Sequence, residues 1–264
     1  MRPFLFSIGS TRIPSFFFFI MVATLATTLF LFWRSRKEGL KPEVMLDLGI
    51  IGMLAGVLGA RIFHILVEAP DYYWAKPMRV FEFWRGGFVS WGGFLAIAVA
   101  LITYFKIRKL PTLKYLDFFA TGAPIIKFFV RIACLLTGCC YGKPTSLPWA
   151  ITFHNPASTA YYYFPNIPLH PTQIYSMIHA LCLFVFIQWF YKHHKQNQGE
   201  TICALAIGWS LPRAFIEFFR GDVDRGIYFG GHISTGQIMG LLISLVALII
   251  YRHLHGKYKK VPVH

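Results

Sequence analysis

Charged residues are scarce in this sequence of 264 residues: they make up 14% of the chain, while hydrophobic residues make up 56%. The mean hydropathy is +0.52. Several windows of about 20 residues are apolar enough to cross a bilayer. Helices satisfy their own backbone hydrogen bonds in lipid. The composition therefore argues against an ordinary soluble domain and predicts an all-α, polytopic membrane protein.

Acidic residues are the scarcer of the two charged classes, with 11 Asp and Glu against 26 Lys and Arg and a net charge of +15. On a soluble protein this excess would suggest a nucleic-acid partner. Here the basic clusters are short and flank apolar runs, so membrane topology and anionic lipid account for them. We therefore expect a membrane partner and no nucleic acid.

The sequence also lacks a Cys-x-x-Cys motif and an internal repeat. The missing repeat argues against a transporter. The neighbours Cys139 and Cys140, with Cys134 nearby, keep a thiol-redox protein open as an alternative, although adjacent cysteines bridge each other only with strain. Their spacing from His154 and His170 does not match a standard zinc motif. We expect no metal and no cofactor, and interpret Cys139 and Cys140 as loop residues.

Seven apolar runs predict seven membrane spans in a single domain covering residues 1–264. Their approximate bounds are 14–33, 44–66, 87–105, 116–136, 171–191, 201–219 and 235–251. Fourteen Lys and Arg residues lie in the loops after the first, third and fifth spans and in the tail, and eight lie in the other segments. The positive-inside rule then predicts an outside N-terminus and a cytoplasmic C-terminus.

With this orientation, three segments lie on the outer face, at about 67–86, 138–170 and 220–234. The first is rich in aromatic residues, as an interfacial segment would be, and the second is long for a connection in a compact bundle. We expect the chemistry where these segments meet.

The four remaining basic residues fall within predicted spans: Arg61, Lys127, Arg131 and Arg213. A charge near the bilayer centre costs about 2.5–3.5 kcal/mol on insertion scales, so each needs a reason. Arg61 and Arg131 lie toward the outer ends of their spans, where snorkelling would suffice. Lys127 shares a helical face with Arg131, so the two repel unless an anion lies between them or one side chain reaches elsewhere.

Arg213 follows Pro212, which weakens the helix and frees a carbonyl group. Glu217 and Arg220 lie on the same helical face as Arg213. Two interpretations stay open: an Arg213–Glu217 ion pair that only neutralises itself, or an anion site built from Arg131 and Arg213. Arginine suits phosphate because its planar fork donates two parallel hydrogen bonds, and phospholipid head groups are abundant at this depth.

Two further segments carry polar or glycine-rich patterns. In the segment from His170 to Tyr175, the histidine either caps the following helix or serves as a functional group. Two Gly pairs, Gly86-Gly87 and Gly92-Gly93, indicate either close helix packing or a backbone that approaches a ligand.

Taken in order, these motifs resemble those of the prolipoprotein diacylglyceryl transferase family, and the resemblance runs from Phe6 to Gln237. The motifs are Phe6-Ser7-Ile8-Gly9, Gly59-Ala60-Arg61-Ile62, the block Gly86–Gly93, Arg131-Ile132 with Gly142, His170-Pro171-Thr172-Gln173-Ile174-Tyr175, Arg213 with Glu217-Phe218-Phe219-Arg220, and Ser234-Thr235-Gly236-Gln237.

The resemblance implies seven spans, an outside N-terminus and an active site facing the outer leaflet of the bacterial inner membrane. It implies transfer of the diacylglyceryl group of phosphatidylglycerol to the lipobox cysteine of prolipoprotein signal peptides, with release of glycerol 1-phosphate. The two critical arginines of the family fall on Arg131 and Arg213. The expected catalytic residues are Arg131, Arg213, Glu217 and His170, and the expected lipid-binding residues are Arg131, Arg213, Arg220, Gly142, Gln173 and Tyr175.

The sequence also departs from the family pattern near the expected site. Trp91 occupies the position of a family histidine, and Cys134 stands about where an asparagine is expected. The remaining candidates for a base are His170 and Glu217. The change at Trp91 also supports an alternative, a non-catalytic relative that binds phospholipid or signal peptide.

Overall fold

The structure, a computed structural model, describes residues 2–8, 11–82, 86–222, 227–228 and 233–258. Gly9 of the first motif therefore lies outside the described residues, and so do parts of the predicted outer segments at 67–86 and 220–234.

Helices dominate the described chain. The α-helices are α1 (Ser15–Lys37), α2 (Pro42–Phe63), α3 (Pro70–Trp74), α4 (Ser90–Ile107), α5 (Thr112–Ala120), α6 (Ala123–Thr137), α7 (Thr159–Tyr163), α8 (Thr172–His193), α9 (Glu200–Ile216) and α10 (Thr235–Tyr258). A π-helical turn, His64–Glu68, follows α2, and 3-10 turns cover Pro77–Phe81 and Glu217–Phe219. Antiparallel strand pairs join β1 (Phe4–Ile8) to β2 (Thr11–Pro14), β3 (Ile151–Thr152) to β4 (Pro168–Leu169), and β5 (Ile227–Tyr228) to β6 (Ile233–Ser234).

Five helices in the described chain are long and apolar enough to cross a membrane: α1, α2 with its π-helical turn, α8, α9 with its 3-10 turn, and α10. Helices α5 and α6 pass the same test together but bend by 45° at their junction, which would make a sixth span. The predicted third span corresponds to α4, whose apolar part, Trp91–Ile107, is shorter than the others. The protein is thus a mostly helical, multi-pass membrane protein.

Residues 28–115 form one compact unit, in which α2 packs against α4 through glycine. A Cβ atom on Gly59 would lie 2.2 Å from the Cβ of Ala96, and one on Gly92 would lie 2.5 Å from the Gly59 carbonyl oxygen. The helix backbones meet at these positions, as small residues allow in membrane helices. The second Gly pair, Gly92-Gly93, therefore serves helix packing.

Residues 1–27 and 116–264 form the other unit, in which α6 packs on α8, α8 on α9, and α9 on α10. Its helical core consists of Ala120, Ala123, Leu183, Ile187, Phe190, Ala204 and Leu205. A second apolar cluster, Tyr141, Phe153, Ala160 and Leu169, lies in the long connection between α6 and α8. The connection between α6 and α8 is therefore a packed segment. Its small core holds the backbone of this connection beside the candidate site.

Candidate functional site

The end of α9 carries a cluster of four charged groups. Arg213 donates through Nη1 to Oε2 of Glu217, and Arg220 Nη1 lies 3.4 Å from the same oxygen. Arg220 also binds Asp222, with Nε donating to Oδ1 over 3.1 Å. The intrahelical Arg213–Glu217 pair is therefore present, and Glu217 holds two guanidinium groups at once.

Arg131 lies on α6, close enough to Arg213 and Arg220 for their charges to interact. Its buried Nε has no hydrogen-bond partner within the described part of the chain. Arg213 and Arg220 are balanced by Glu217 and Asp222, whereas Arg131 adds a positive charge and pairs with no carboxylate among the described residues. A guanidinium that has been dehydrated without a full set of acceptors favours an incoming anion.

Cys140 is the residue that interacts with Arg131 from the loop after α6. The pKa of its thiol lies well below the ordinary value, because the Cys134 and Cys139 thiols donate hydrogen bonds to it and the charges of Arg131 and Arg220 favour the thiolate. The pKa of Arg220 is correspondingly raised, since Cys140, Asp222 and Glu217 together outweigh the opposing effect of burial. Cys140 therefore belongs electrostatically to the arginine cluster.

His170 and Tyr175 form a polar chain at the start of α8. Trp149 donates through Nε1 to the Tyr175 hydroxyl over 2.9 Å, and that hydroxyl lies 3.2 Å from His170 Nδ1. The His170 ring also packs on Phe219, with ring centroids 5.2 Å apart. The N-cap of α8 is Pro171, without a side-chain cap. The helix-cap interpretation of His170 is therefore wrong, and its imidazole is available for another role.

Gly142 lies where three backbone segments cross. It forms an isolated bridge with Arg220, and Lys143 N donates to Phe219 O over 2.8 Å. A Cβ atom on Gly142 would lie 2.3 Å from the His170 carbonyl oxygen. The absence of a side chain at this position therefore lets the His170 segment and the Arg220 segment meet.

Gln173 and Thr172 hold the cysteine loop. Gln173 Nε2 donates to the Cys139 carbonyl over 2.8 Å, and Thr172 Oγ1 donates to the Cys140 carbonyl over 2.6 Å. Gln173 is fully buried, and its Oε1 has no hydrogen-bond partner among the described residues. Its amide nitrogen is thus committed to the loop, while its oxygen is free for a donor.

Lys127 avoids Arg131 by turning to a histidine that the sequence patterns do not single out. Its Nζ lies 2.7 Å from His179 Nδ1 and above the ring of Trp209, 4.5 Å from the centroid. His179 Nε2 lies 2.8 Å from the Gly208 carbonyl, four residues before Pro212. That carbonyl is the one that proline cannot bind within the helix. The carbonyl that Pro212 leaves without a helix hydrogen bond is therefore paired with His179.

Arg61 has a structural role in the unit of residues 28–115. It is 3% exposed and donates to the carbonyl groups of Arg79, Val80, Glu82, Gly86 and Gly87. A Cβ on Gly87, whose φ is +81°, would lie 2.9 Å from Arg61 Nη1. Snorkelling is therefore the wrong explanation for Arg61, which organises the interfacial segment instead.

Trp91 in the same unit is 51% exposed and packs on Phe94.

The described residues thus bring most predicted site residues into one neighbourhood. Arg213, Glu217 and Arg220 are joined by ion pairs, and the charge of Arg131 acts on Arg213 and Arg220. Gly142 bridges to Arg220, and His170 and Tyr175 contact Phe219. Sequence reasoning missed Trp149, His179 and the contribution of the cysteines. The signal that could have found the cysteines is the helix-ending Gly138, which turns Cys139 and Cys140 back toward Cys134.

Comparison with known proteins matches residues 3–252 to the family described as prolipoprotein diacylglyceryl transferase. A phosphatidylglycerol–prolipoprotein diacylglyceryl transferase of Clostridium tetani is 30% identical over 251 residues, covering 95% of this chain and 97% of the relative. The enzyme of Nitrosomonas europaea with the same name is 33% identical and covers 80% of this chain and 73% of its own length. A second clostridial relative, from Clostridium perfringens, is 30% identical and covers 95% and 94%. The chain therefore belongs to the prolipoprotein diacylglyceryl transferase family.

Proposed function

We propose that this protein transfers the diacylglyceryl group of phosphatidylglycerol to the lipobox cysteine thiol of prolipoproteins and releases glycerol 1-phosphate. The observation that carries the proposal is Arg131, whose buried Nε has no hydrogen-bond partner in the described chain and which adds a positive charge beside the arginine pair of α9. The names of the relatives supply the substrates.

The arginines fit the reaction because negative charge develops on the departing phosphate. Fixed positive groups aimed at that charge stabilise the transition state without reorganising. Arg131 and Arg213 take this catalytic role, with Glu217 holding Arg213 and Arg220 in place. Arg220 extends the lipid-binding surface.

The remaining proposed contacts surround these arginines. Gly142 contributes to the lipid site by letting the His170 and Arg220 segments meet, and Gln173 offers its amide oxygen to a glycerol hydroxyl. The Tyr175 hydroxyl accepts from the indole of Trp149, which can only donate, so its own proton is directed at His170 Nδ1. The proton of a neutral His170 then sits on Nε2, and His170 acts as a donor to phosphate.

The proposed placement is a single domain with seven spans, an outside N-terminus, a cytoplasmic C-terminus and a site facing the outer leaflet of the inner membrane. The distribution of Lys and Arg supports this orientation. Counting α4 and the bent pair of α5 and α6 with the five long helices supports seven spans.

The test is transfer of a labelled diacylglyceryl group from phosphatidylglycerol to a synthetic lipobox peptide by the purified protein. Arg131→Ala should lower the rate about 100-fold to 1,000-fold, the usual cost of removing one transition-state donor. Arg131→Lys should retain more activity than Arg131→Ala, because lysine keeps the positive charge and loses only the planar guanidinium group.

The matched control is Arg252→Ala, which removes an exposed arginine of α10 and should leave the rate unchanged. Absence of transfer in a preparation with native helical content would refute the enzyme and favour the non-catalytic relative. Oxidation of peptide thiols in place of transfer would favour the thiol-redox alternative.

A further inference from the structure

Three cysteine thiols converge at the end of α6. The Sγ atoms of Cys134, Cys139 and Cys140 all lie within 4.8 Å of one another. Gly138, with φ +70°, ends the helix, and Cys139 N donates back to the Cys134 carbonyl over 3.2 Å. Cys140 itself adopts a left-handed φ of +55°. The turn thus brings together side chains whose sequence spacing matches no standard metal motif.

Surrounding groups fix the orientation of this thiol cluster. Thr137 Oγ1 lies 3.3 Å from Cys139 Sγ. The carbonyls of Cys139 and Cys140 are held by Gln173 and Thr172, as described above. Metal ligands are characteristically oriented by such secondary hydrogen bonds. A left-handed cysteine persists only when its surroundings determine its backbone, which these contacts do.

The spacing suits a tetrahedral d10 metal ion. Zinc binds thiolate sulfur at about 2.3 Å, so sulfur atoms around it lie about 3.8 Å apart in a tetrahedron. Small side-chain shifts within the observed 4.8 Å reach this geometry. Three protein ligands with one open position is the arrangement of catalytic zinc sites, whereas structural sites have four.

We infer that Cys134, Cys139 and Cys140 bind one zinc ion and that the open fourth position takes the thiol of the substrate cysteine. The identity of that thiol rests on the proposed function, whereas the zinc site of three cysteines does not depend on the proposed function.

The electrostatic surroundings favour the complex over the bare ion. Zinc with three thiolates carries one negative charge, and a fourth thiolate makes it two. Arg131 and Arg220 are the cations whose charges act on Cys140. They repel a free metal ion but attract this anionic complex, and the buried Nε of Arg131 has no hydrogen-bond partner among the described residues, so it can bind the phosphate of the lipid. Nucleophile and leaving group would then both be held beside Arg131.

The chemical step balances without an added oxidant or reductant. A thiol that coordinates zinc gives up its proton to water and remains bound as thiolate. Its sulfur electron pair forms the bond to the glyceryl carbon, while the carbon–oxygen bond to phosphate breaks and its electrons leave with glycerol 1-phosphate. The product thioether is neutral and is a weaker ligand, so it leaves the metal. Zinc would thus supply a thiolate in a chain where Trp91 stands in place of the family histidine.

The first experiment measures metal, independently of activity. Full-length protein purified in detergent after equilibration with zinc should contain about one zinc per chain by elemental mass spectrometry, as expected for a single catalytic site. Cys134→Ser, Cys139→Ser and Cys140→Ser should each lose it. Cys182→Ser, which removes the exposed cysteine of α8, should retain it. Zinc below stoichiometry in the folded protein, or retention in all three cluster variants, would overturn the site.

The second experiment asks whether the fourth ligand is the substrate thiol. Cobalt-substituted protein should show sulfur-to-cobalt charge-transfer absorption, and a lipobox peptide should alter that spectrum while its Cys→Ser analogue should not. Chelator-treated protein should lose transfer and regain it with zinc. Full transfer by metal-free protein would overturn this inference and leave the proposed function intact. A cobalt spectrum that responds to the cysteine peptide without any transfer would support the site and refute the proposed function.

A disulfide is the competing state of three close thiols. Mass spectrometry of unreduced, active protein should show all three as free or metal-bound cysteines. A Cys134–Cys139 or Cys134–Cys140 disulfide in the active form would overturn the zinc site.

Discussion

At the residue scale, the hydroxyl of Tyr175 links Trp149 to His170. Tyr175→Phe removes the group that fixes the imidazole, and His170→Asn removes the imidazole itself. Each change should lower the transfer rate about 10-fold to 100-fold, and the double variant should lose no more than His170→Asn alone. Residues that share one network show such non-additive effects.

The control for this cycle is Tyr162→Phe, which removes the hydroxyl of a tyrosine that is 77% exposed. Steady-state kinetics with the labelled lipid provide the measurement. If the two losses multiply in the double variant, Tyr175 acts on the substrate independently of His170.

Single residues also show where sequence reasoning ends. The arginines can be identified from the sequence, because a charge within an apolar run is costly in a membrane and indicates a functional residue. This identification requires no knowledge of contacts. The partner of Lys127 was hidden, because His179 lies 52 residues later and approaches only when α6 packs on α8. The linear spacing of the cysteines does not predict how close they lie, because the turn that ends α6 sets the distances between their Sγ atoms.

At the scale of elements, α2 offers two glycines in different surroundings. A Cβ on Gly59 would lie 2.2 Å from Ala96 Cβ, whereas a Cβ on Gly52 would meet nothing within 4 Å. Gly59→Ala should therefore destabilise the protein by about 1–3 kcal/mol through overpacking. Gly52→Ala should stabilise it by about 0.5–1 kcal/mol, because alanine restricts the unfolded chain.

Thermal unfolding in one detergent measures both variants, each serving as the control for the other. Equal effects at the two positions would show that α2 and α4 do not meet at Gly59.

The start of α9 is capped by a carboxylate from α5. Asp117 accepts from Gly199 N over 2.7 Å and from Ile202 N over 2.9 Å, and Lys195 Nζ lies 3.1 Å from it. Asp117 is fully buried, so Asp117→Asn leaves a buried donor or cation without its partner and should cost about 1–3 kcal/mol of stability. Exposed Asp71→Asn is the control and should change the melting temperature little. An unchanged melting temperature for Asp117→Asn would show that the cap does not contribute to folding.

At the scale of the whole molecule, the apolar runs located the helices well because span length follows from bilayer thickness. They did not show that residues 116–136 divide into two helices, since the bend at Thr121 and Gly122 interrupts an almost uniformly apolar stretch. Hydropathy averages over such a turn. The third span was also predicted to begin three residues too early. Helix α4 begins at Ser90, and the Gly87 carbonyl before it accepts a hydrogen bond from Arg61.

The orientation in the membrane that the charge distribution predicts can be tested directly. Fourteen Lys and Arg residues on one side against eight on the other predict that residue 157 lies outside and the C-terminus inside. An epitope inserted at exposed Ala157, in the connection between α6 and α8, should bind antibody in intact spheroplasts. The same epitope at the C-terminus should bind only after permeabilisation, and retained transfer activity would show that each tagged protein is folded. The reverse labelling pattern would put the arginine cluster on the cytoplasmic side and contradict the proposed site at the outer leaflet.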